Sequence, residues 1–175
     1  MARNDIYMNR LQLATLLSWG GEDGIQGRKR LQKVVFFLQE AGCALDCRYT
    51  LHHYGPYSRD VADRCDEMLA AGLIEEAGGP TNGDMQYIYT LKPQTRNALN
   101  QTTDAAMRPF RTRGEALIKE QLWTLELGST ILLFYRQTCD WDQALNKACE
   151  FKNVSASADA SCLALALAKQ FEKQH

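Results

Sequence analysis

The sequence has almost no net charge and no long hydrophobic run. Its 20 Lys and Arg residues are balanced by 21 Asp and Glu residues, which leaves a net charge of -1 over 175 residues. Affinity for nucleic acid or an anionic membrane must therefore come from a local patch. The longest apolar stretch, residues 123–135, is too short to cross a bilayer and contains Glu126. A hydrophobic fraction of 45% and a charged fraction of 23% exclude a disordered or collagen-like chain.

Histidine is scarce, and the motifs of common enzyme classes are missing. The sequence has no glycine-rich phosphate loop, no nucleophile elbow, and no His-x-x-x-His or Cys-x-x-Cys motif. Of the three histidines, His175 is terminal, and the adjacent His52 and His53 would point to opposite faces of a strand. We therefore expect a protein that is not an enzyme and that needs no cofactor.

The six cysteines form no recognisable metal or disulfide pattern. Residues 1–5 are not followed by the apolar segment of a secretory signal, so we expect a cytoplasmic protein with reduced thiols. Cys65, Cys149 and Cys162 occupy apolar helical positions, where free cysteine behaves as a small hydrophobic residue. Cys43 and Cys47, with a histidine and Cys65, would be zinc-type ligands, but their spacing is loose. The simpler interpretation is a thiol pair at the solvent edge, and we predict no metal site.

The first half of the chain predicts a winged-helix-like module over residues 1–93. Apolar periodicity, caps and turn residues indicate helices at residues 6–18, 28–41 and 58–71, a strand at 48–54, and hairpin strands at 73–76 and 85–91. In the last strand Met85, Tyr87, Tyr89 and Leu91 should share one face. The order helix, helix, strand, helix, hairpin is typical of a winged helix with a small β-hairpin wing.

The second half, residues 94–175, predicts an all-helical lobe. Residues 95–107 indicate a weak helix ending before Pro109, and residues 115–137 a strong helix that is apolar all round and hence buried. Asp140 should cap a further helix with Gln143 at the capping-box position, and residues 159–171 form the last helix. We therefore expect a mainly α (α+β) fold in which the module packs on the lobe as one compact unit.

Basic residues cluster at two places. Arg28, Lys29, Arg30 and Lys33 lie at the start of the second helix, where positive charge is unfavourable to the helix dipole. The second cluster, around Pro109, contains Arg108, Arg111, Arg113 and Lys119. Either cluster could contact phosphate, and either could equally be a solvated surface.

The third helix does not suit insertion into a DNA groove. With Val61, Cys65, Met68 and Leu69 buried, its outward residues would be Arg59, Asp60, Asp63, Arg64, Asp66 and Glu67. That face has a net charge of about -2, which phosphate would repel. It suits a basic protein partner better.

The most distinctive segment surrounds Gly55-Pro56. It reads Leu51-His52-His53-Tyr54-Gly55-Pro56-Tyr57-Ser58 and places four rings beside a tight turn. Tyrosine supplies contact area at low entropic cost, so an exposed turn would suit recognition. The alternative is that the rings pack the turn against the first two helices.

Three segments resemble the bacterial YwgA-like family. They are Leu31-Gln32-Lys33, followed after two valines by the aromatic pair Phe36-Phe37, then Tyr54-Gly55-Pro56-Tyr57-Ser58, and Leu125-Glu126-Leu127 at the long helix. The acidic helix that ends at Ala71-Gly72-Leu73-Ile74 adds to the resemblance. The first two are more distantly similar to SocA-like (Panacea) antitoxin domains, which neutralise or deliver toxins and occur beside phage-defence genes. The resemblance implies a regulator or adaptor without catalytic residues.

We therefore expect a protein-binding regulator in a prokaryotic phage-defence or toxin–antitoxin setting, with a toxin or defence effector as partner. The candidate partner surface comprises His53, Tyr54, Tyr57, Arg59 and Asp63. The alternative is a winged-helix nucleic-acid-binding (transcriptional) regulator that uses Arg28, Lys29, Arg30 and Lys33. Neither hypothesis involves a membrane.

Overall fold

The computed structural model describes residues 7–81, 84–102 and 104–173, which contain eight α-helices and five β-strands. The fold is mixed α/β, mainly helical, with two small antiparallel sheets.

Helix α1 spans Arg10–Ser18 and begins at a capping box between Asn9 and Gln12. It starts later than the predicted residue 6, which lies outside the described residues. Helices α2, Arg28–Glu40, and α3, Arg59–Ala70, match the prediction, and the Ser58 hydroxyl caps α3 by accepting from the Val61 N–H.

A three-stranded sheet packs beside these helices. Strands β1, Ile25–Gln26, β4, Ile74–Thr81, and β5, Asp84–Leu91, pair in the order β1-β5-β4. The hairpin β4–β5 is longer than predicted, because its pairing continues from Ile74↔Leu91 to Thr81↔Asp84. Tyr89 and Leu91 are buried as expected, but Tyr87 is exposed, since the longer hairpin extends past the core.

The predicted strand at residues 48–54 is only half of a tight hairpin. Strand β2, Thr50–His52, turns at His53-Tyr54 and pairs with β3, Gly55–Tyr57. The Gly-Pro pair was predicted to be the turn, and it is instead the returning strand. Pro56 is tolerated there because the sheet has only two strands, so one side of β3 needs no N–H donor.

The remaining helices are α4, Pro93–Leu99, α5, Arg111–Lys119, α6, Leu122–Thr138, α7, Trp141–Lys152, and α8, Asp159–Gln170. The strong helix predicted over residues 115–137 is wrong in its N-terminal part, because the backbone becomes extended at Glu120 and Gln121. The guanidinium of Arg30 donates there to the carbonyls of Ile118 and Glu120. The weak helix predicted over residues 95–107 ends at Leu99, since the Asp104 carboxylate accepts from the Ala106 and Met107 N–H groups and starts a turn.

Helix α6 is the central buried helix, as predicted. It packs against α2, α7 and α8, and ten consecutive residues from Thr124 to Leu133 are buried. The buried apolar side chains form one cluster that includes residues from both halves of the chain. The division near residue 93 stays a prediction. None of the helices in the described ranges combines the length and the hydropathy that a bilayer crossing requires.

Candidate functional site

The three segments that carry the family resemblance meet in space. The side-chain amide of Gln32 in α2 holds Ser58 on both sides, donating to its carbonyl at 2.9 Å and accepting from its N–H at 2.8 Å. Lys33 Nζ donates to the carbonyl of Pro56 at 2.6 Å, and the lysine is only 2% exposed. Both side chains are therefore occupied in fixing the backbone of the β2–β3 hairpin.

Helix α6, which contains the third of these segments, supports the same hairpin. Gly55 has a φ of +96°, and a Cβ at this position would lie 2.5 Å from Thr130 Oγ1 and 3.2 Å from the Glu126 carbonyl oxygen. A side chain would require both a rare backbone conformation and a displacement of α6. Glycine at this position therefore allows the hairpin to lie directly on α6.

A cluster of three lysines and one carboxylate lies under the hairpin. Lys152 Nζ, at the end of α7, lies 3.6 Å from Glu126 Oε2 and 3.3 Å from the carbonyl oxygen of His53. Burial lowers the pKa of Lys33 to about 8; Glu126 opposes this shift, while Lys152 and Lys29 add to it. Burial lowers the pKa of Lys152 as well. The single carboxylate of Glu126 thus leaves an excess of positive charge.

Exposed aromatic rings surround this cluster. The Lys29 ammonium lies 3.3 Å from the centroid of the Tyr54 ring, which is 46% exposed. Lys152 Nζ lies 5.8, 6.0 and 5.9 Å from the ring centroids of Tyr54, Trp123 and Phe151. Trp123 and Phe151 are 38% and 40% exposed. We call these five residues, with His53, the Tyr54 surface.

The structure brings together only part of the predicted partner surface. His53 and Tyr54 are adjacent at the hairpin turn, with their rings edge to face at 4.9 Å, and both are exposed. Tyr57 is half-buried and stacks on His52 at 4.6 Å. Arg59 and Asp63 form an exposed ion pair of 2.9 Å with each other on α3. Trp123, Phe151 and Lys152 were missed, because nothing local in α6 or α7 distinguishes them.

The expected acidic face of α3 needs correction. Asp60 and Arg64, predicted to point outward, are buried. The Arg48 side chain and backbone N–H both donate to Asp60, and these bonds hold the pKa of that carboxyl below its usual range. Arg64 donates to the Met8 carbonyl at 2.9 Å.

The outward acids of α3 are also paired. Asp63 pairs with Arg59, and Asp66 lies 3.5 Å from Arg28. Glu67 pairs with Arg10 and with Arg64. Each of the four acidic residues of the helix therefore has an arginine partner, and the face offers less free negative charge than its sequence indicates.

Most of the basic residues predicted to form a patch on α2 also have partners within the protein. Arg30 donates hydrogen bonds to the carbonyls of Ile118 and Glu120 at the end of α5, and Lys33 donates to a carbonyl of the β2–β3 hairpin. Arg28 pairs with Glu76 at 3.3 Å and with Asp66. Only Lys29 stands over an exposed ring. The four residues are therefore not one free patch, because three of them have partners within the protein.

The thiols are mostly core residues. Cys43 and Cys47 are buried, and burial raises their pKa to about 11 and about 12, so the expected solvent-edge thiol pair is wrong. Cys65 and Cys149 are buried as predicted, whereas Cys162 is exposed. Over the described ranges, no group of three or more His, Cys, Asp or Glu side chains is arranged to hold a metal ion.

Comparison with known proteins gives one informative relative. No protein-family model matches the chain. The "Uncharacterized protein YwgA" of Bacillus subtilis (strain 168) is 31% identical over 123 residues, which cover 70% of this chain and 72% of that protein. An identity of this level over most of both chains, together with the segments that meet at the hairpin, shows that the protein belongs to the YwgA-like family.

Proposed function

We propose that this protein is a non-enzymatic regulator or adaptor that binds a protein partner through the Tyr54 surface, in a prokaryotic phage-defence or toxin–antitoxin setting. The observation that carries the proposal is the rigid presentation of Tyr54. Its ring is 46% exposed, while the hairpin behind it is held by buried Gln32 and Lys33. An anchor fixed before binding loses little conformational entropy when the complex forms.

The composition of the surface supports a protein partner. Tyr and Trp are the residue types that most often dominate the energy of protein–protein interfaces. Tyr54, Trp123 and Phe151 all surround one ammonium group, that of Lys152. Exposed apolar rings grouped in this way are typical of an interaction site.

The charge of the surface specifies the partner further. Lys33 and Lys152 share the carboxylate of Glu126, and Lys29 adds a third positive charge nearby, so the local charge among these described residues is positive. We infer a partner that offers acidic side chains around an apolar anchor, since complementary charge favours encounter and orientation. This replaces the basic partner expected from α3, whose acids are already paired.

The setting and the module type rest on resemblance. The distant similarity to SocA-like (Panacea) antitoxin domains supports a toxin or defence effector as the partner. The order α1, β1, α2, α3, β4, β5, with the β2–β3 hairpin inserted between α2 and α3, and the sheet order β1-β5-β4 support a winged-helix arrangement in which β4–β5 is the wing. The two arginines of α3, the groove-reading helix of such a module, are paired with acids of the same helix, so the helix offers phosphate little free positive charge, which favours a protein over DNA as the ligand.

The test is affinity purification from the native host, read by mass spectrometry and ultraviolet absorbance. Tyr54→Ala and Trp123→Ala are compared with Leu163→Ala, which truncates the most exposed large apolar side chain, on α8. We expect a stoichiometric protein that is lost from the first two variants and kept by the third. Unchanged capture by Tyr54→Ala would show that the partner binds elsewhere. Circular dichroism confirms that each variant keeps its helices.

The alternative is a nucleic-acid-binding regulator, and one observation favours it. A cavity of about 390 Å³ at the start of α2 is lined by Arg28, Lys29, Arg30 and Tyr87. The helix has no side-chain cap there, so its first N–H groups are available to a phosphate. The same purification, divided into nuclease-treated and untreated halves, separates the two functions. Nucleic acid in the untreated half, without a stoichiometric protein, would favour this alternative.

A further inference from the structure

A second cavity, apart from the Tyr54 surface, lies between α1, α4 and the beginning of α5. Its volume is about 370 Å³. Three arginines from three elements line it: Arg96 from α4, Arg108 from the turn before α5, and Arg111 from α5 itself. Arg108 and Arg111 belong to the basic cluster around Pro109, for which the proposed function has no use.

The positive charge of this cavity is only partly compensated. Its one acidic lining residue is Asp104, whose carboxylate accepts from backbone N–H groups. Arg111 Nε donates to Glu115, and Arg96 Nη2 donates to the Gly21 carbonyl at 3.2 Å. The Arg108 side chain makes no hydrogen bond or ion pair with another described residue, whereas its backbone carbonyl accepts from the Arg111 N–H. Three guanidinium groups therefore face a cavity that contains one engaged carboxylate.

Thr15 lines the same cavity, with its hydroxyl buried in the cavity wall. Thr15 Oγ1, on α1, is buried and has no hydrogen-bond partner in the described part of the chain. A buried hydroxyl without a partner is costly, which makes it a ready donor to an acceptor that enters the cavity. Ser18, one turn further along α1, and the indole of Trp19 complete this wall.

We propose that this cavity binds a small molecule through a phosphate group. Guanidinium groups match the oxygens of phosphate in geometry as well as in charge, and hydroxyl donors commonly add to such contacts. The cavity volume falls within the range of small-molecule sites, which is more than an isolated ion needs. Arg96, Arg108 and Arg111 bind the phosphate, Thr15 donates to one of its oxygens, and Trp19 contacts the organic part.

Isothermal titration calorimetry with inorganic phosphate, ribose 5-phosphate and AMP tests this site. We expect at least one of the two phosphate esters to bind more tightly than inorganic phosphate. We expect Arg108→Gln to raise the dissociation constant of that ester by about tenfold or more. Arg113→Gln is the matched control, because it removes the same charge from α5 at a residue that lies over the Phe171 ring and outside this cavity. It should bind like the wild type.

A conservative variant separates recognition from folding. Thr15→Val keeps the shape of the side chain and removes only the hydroxyl, so we expect several-fold weaker ester binding with an intact fold. Absence of binding by all three probes up to about 10 mM would overturn the proposal, as would ester binding that Arg108→Gln leaves unchanged. Tyr54→Ala should bind the ester normally, so failure of this proposal and failure of the proposed function are distinguishable.

Discussion

Two charged regions of the molecule, the outer face of α3 and the lysine cluster under the β2–β3 hairpin, differ in how their charges are balanced. On α3, each of the four acidic residues has an arginine partner, and the Arg59–Asp63 pair is mostly exposed. Under the β2–β3 hairpin, Lys33 and Lys152 share the carboxylate of Glu126 and are buried with it, while Lys29 adds a further positive charge nearby. The acids of α3 are all paired, and water screens the exposed Arg59–Asp63 pair, whereas the lysine cluster keeps an excess of positive charge in a mostly buried site.

This difference shows why formal charge is a poor guide to the interaction surface. By sequence, α3 is the conspicuous charged element and residues 29–33 are a second one. In the structure, arginines from α1, α2 and the segment before β2 remove the excess charge of α3. Lys152 comes from α7 and adds to the charge of the hairpin region instead. Unbalanced charge in a partly buried site interacts more strongly than the same charge on an exposed helix.

Removing the carboxylate of Glu126 should produce the largest effect. In Glu126→Gln, the shape is kept, but Lys33 and Lys152 lose the carboxylate that offsets their charge. Breaking a buried ion pair in this way leaves an uncompensated charge, so we expect the free energy of unfolding to fall by about 3 kcal/mol. Urea denaturation followed by circular dichroism measures it. A loss no larger than that of an exposed pair would show that the lysine cluster is as well solvated as α3.

The sequence predicted the elements whose signals are local. Helices α3 and α7 were found with their caps because Ser58 and Asp140 lie directly before amphipathic runs. The break between α5 and α6 could not be found, because it depends on Arg30, some 90 residues away. The β2–β3 hairpin was mistaken for a strand and a turn, since Gln32 and Lys33 hold its returning strand from another helix.

The residues of the candidate site were likewise predicted where their signal was local and missed where it depended on distant parts of the chain. His53 and Tyr54 were found because they are neighbours in a distinctive segment. Trp123 and Phe151 were missed because they are grouped with Tyr54 only by the folded structure, in which α6 packs against α7 and all three rings lie around Lys152. Glu126 was noticed as an interruption of an apolar run and as part of a family segment, but its ion pair was not predicted, although a lone carboxylate in a buried helix signals a partner elsewhere.

The pH dependence of stability tests the lysine cluster directly. The folded-state pKa of Lys33 is about 8 and its ordinary value is 10.5, so the unfolded chain binds more protons between these values and stability rises with pH. From pH 7 to 9 we expect a gain of about 1 kcal/mol, compared with Lys33→Met. Above pH 9 the trend reverses, because buried thiols such as Cys47, with a raised pKa of about 12, stay protonated only in the folded state.

The midpoints of urea denaturation, determined at intervals of half a pH unit, measure how the free energy of unfolding changes with pH. Lys33→Arg provides a second reference, since its guanidinium keeps the positive charge and does not titrate in this range. Both variants should lose the rise between pH 7 and 9. A rise that persists in both would assign the titration to another group, with Lys152 as the first candidate because burial lowers its pKa as well.

Neutralising Asp63 should change the free energy of unfolding the least, which contrasts the paired charges of α3 with the lysine cluster. Asp63→Asn removes the partner of Arg59 in an exposed i,i+4 pair, and such pairs contribute only about 0.3–0.5 kcal/mol. The change in unfolding free energy should therefore be several-fold smaller than that of Glu126→Gln. Partner capture should also be unchanged, because Asp63 lies outside the Tyr54 surface. If capture falls in Asp63→Asn while stability does not, the partner contacts α3 after all, and the paired face rather than the unbalanced one carries recognition.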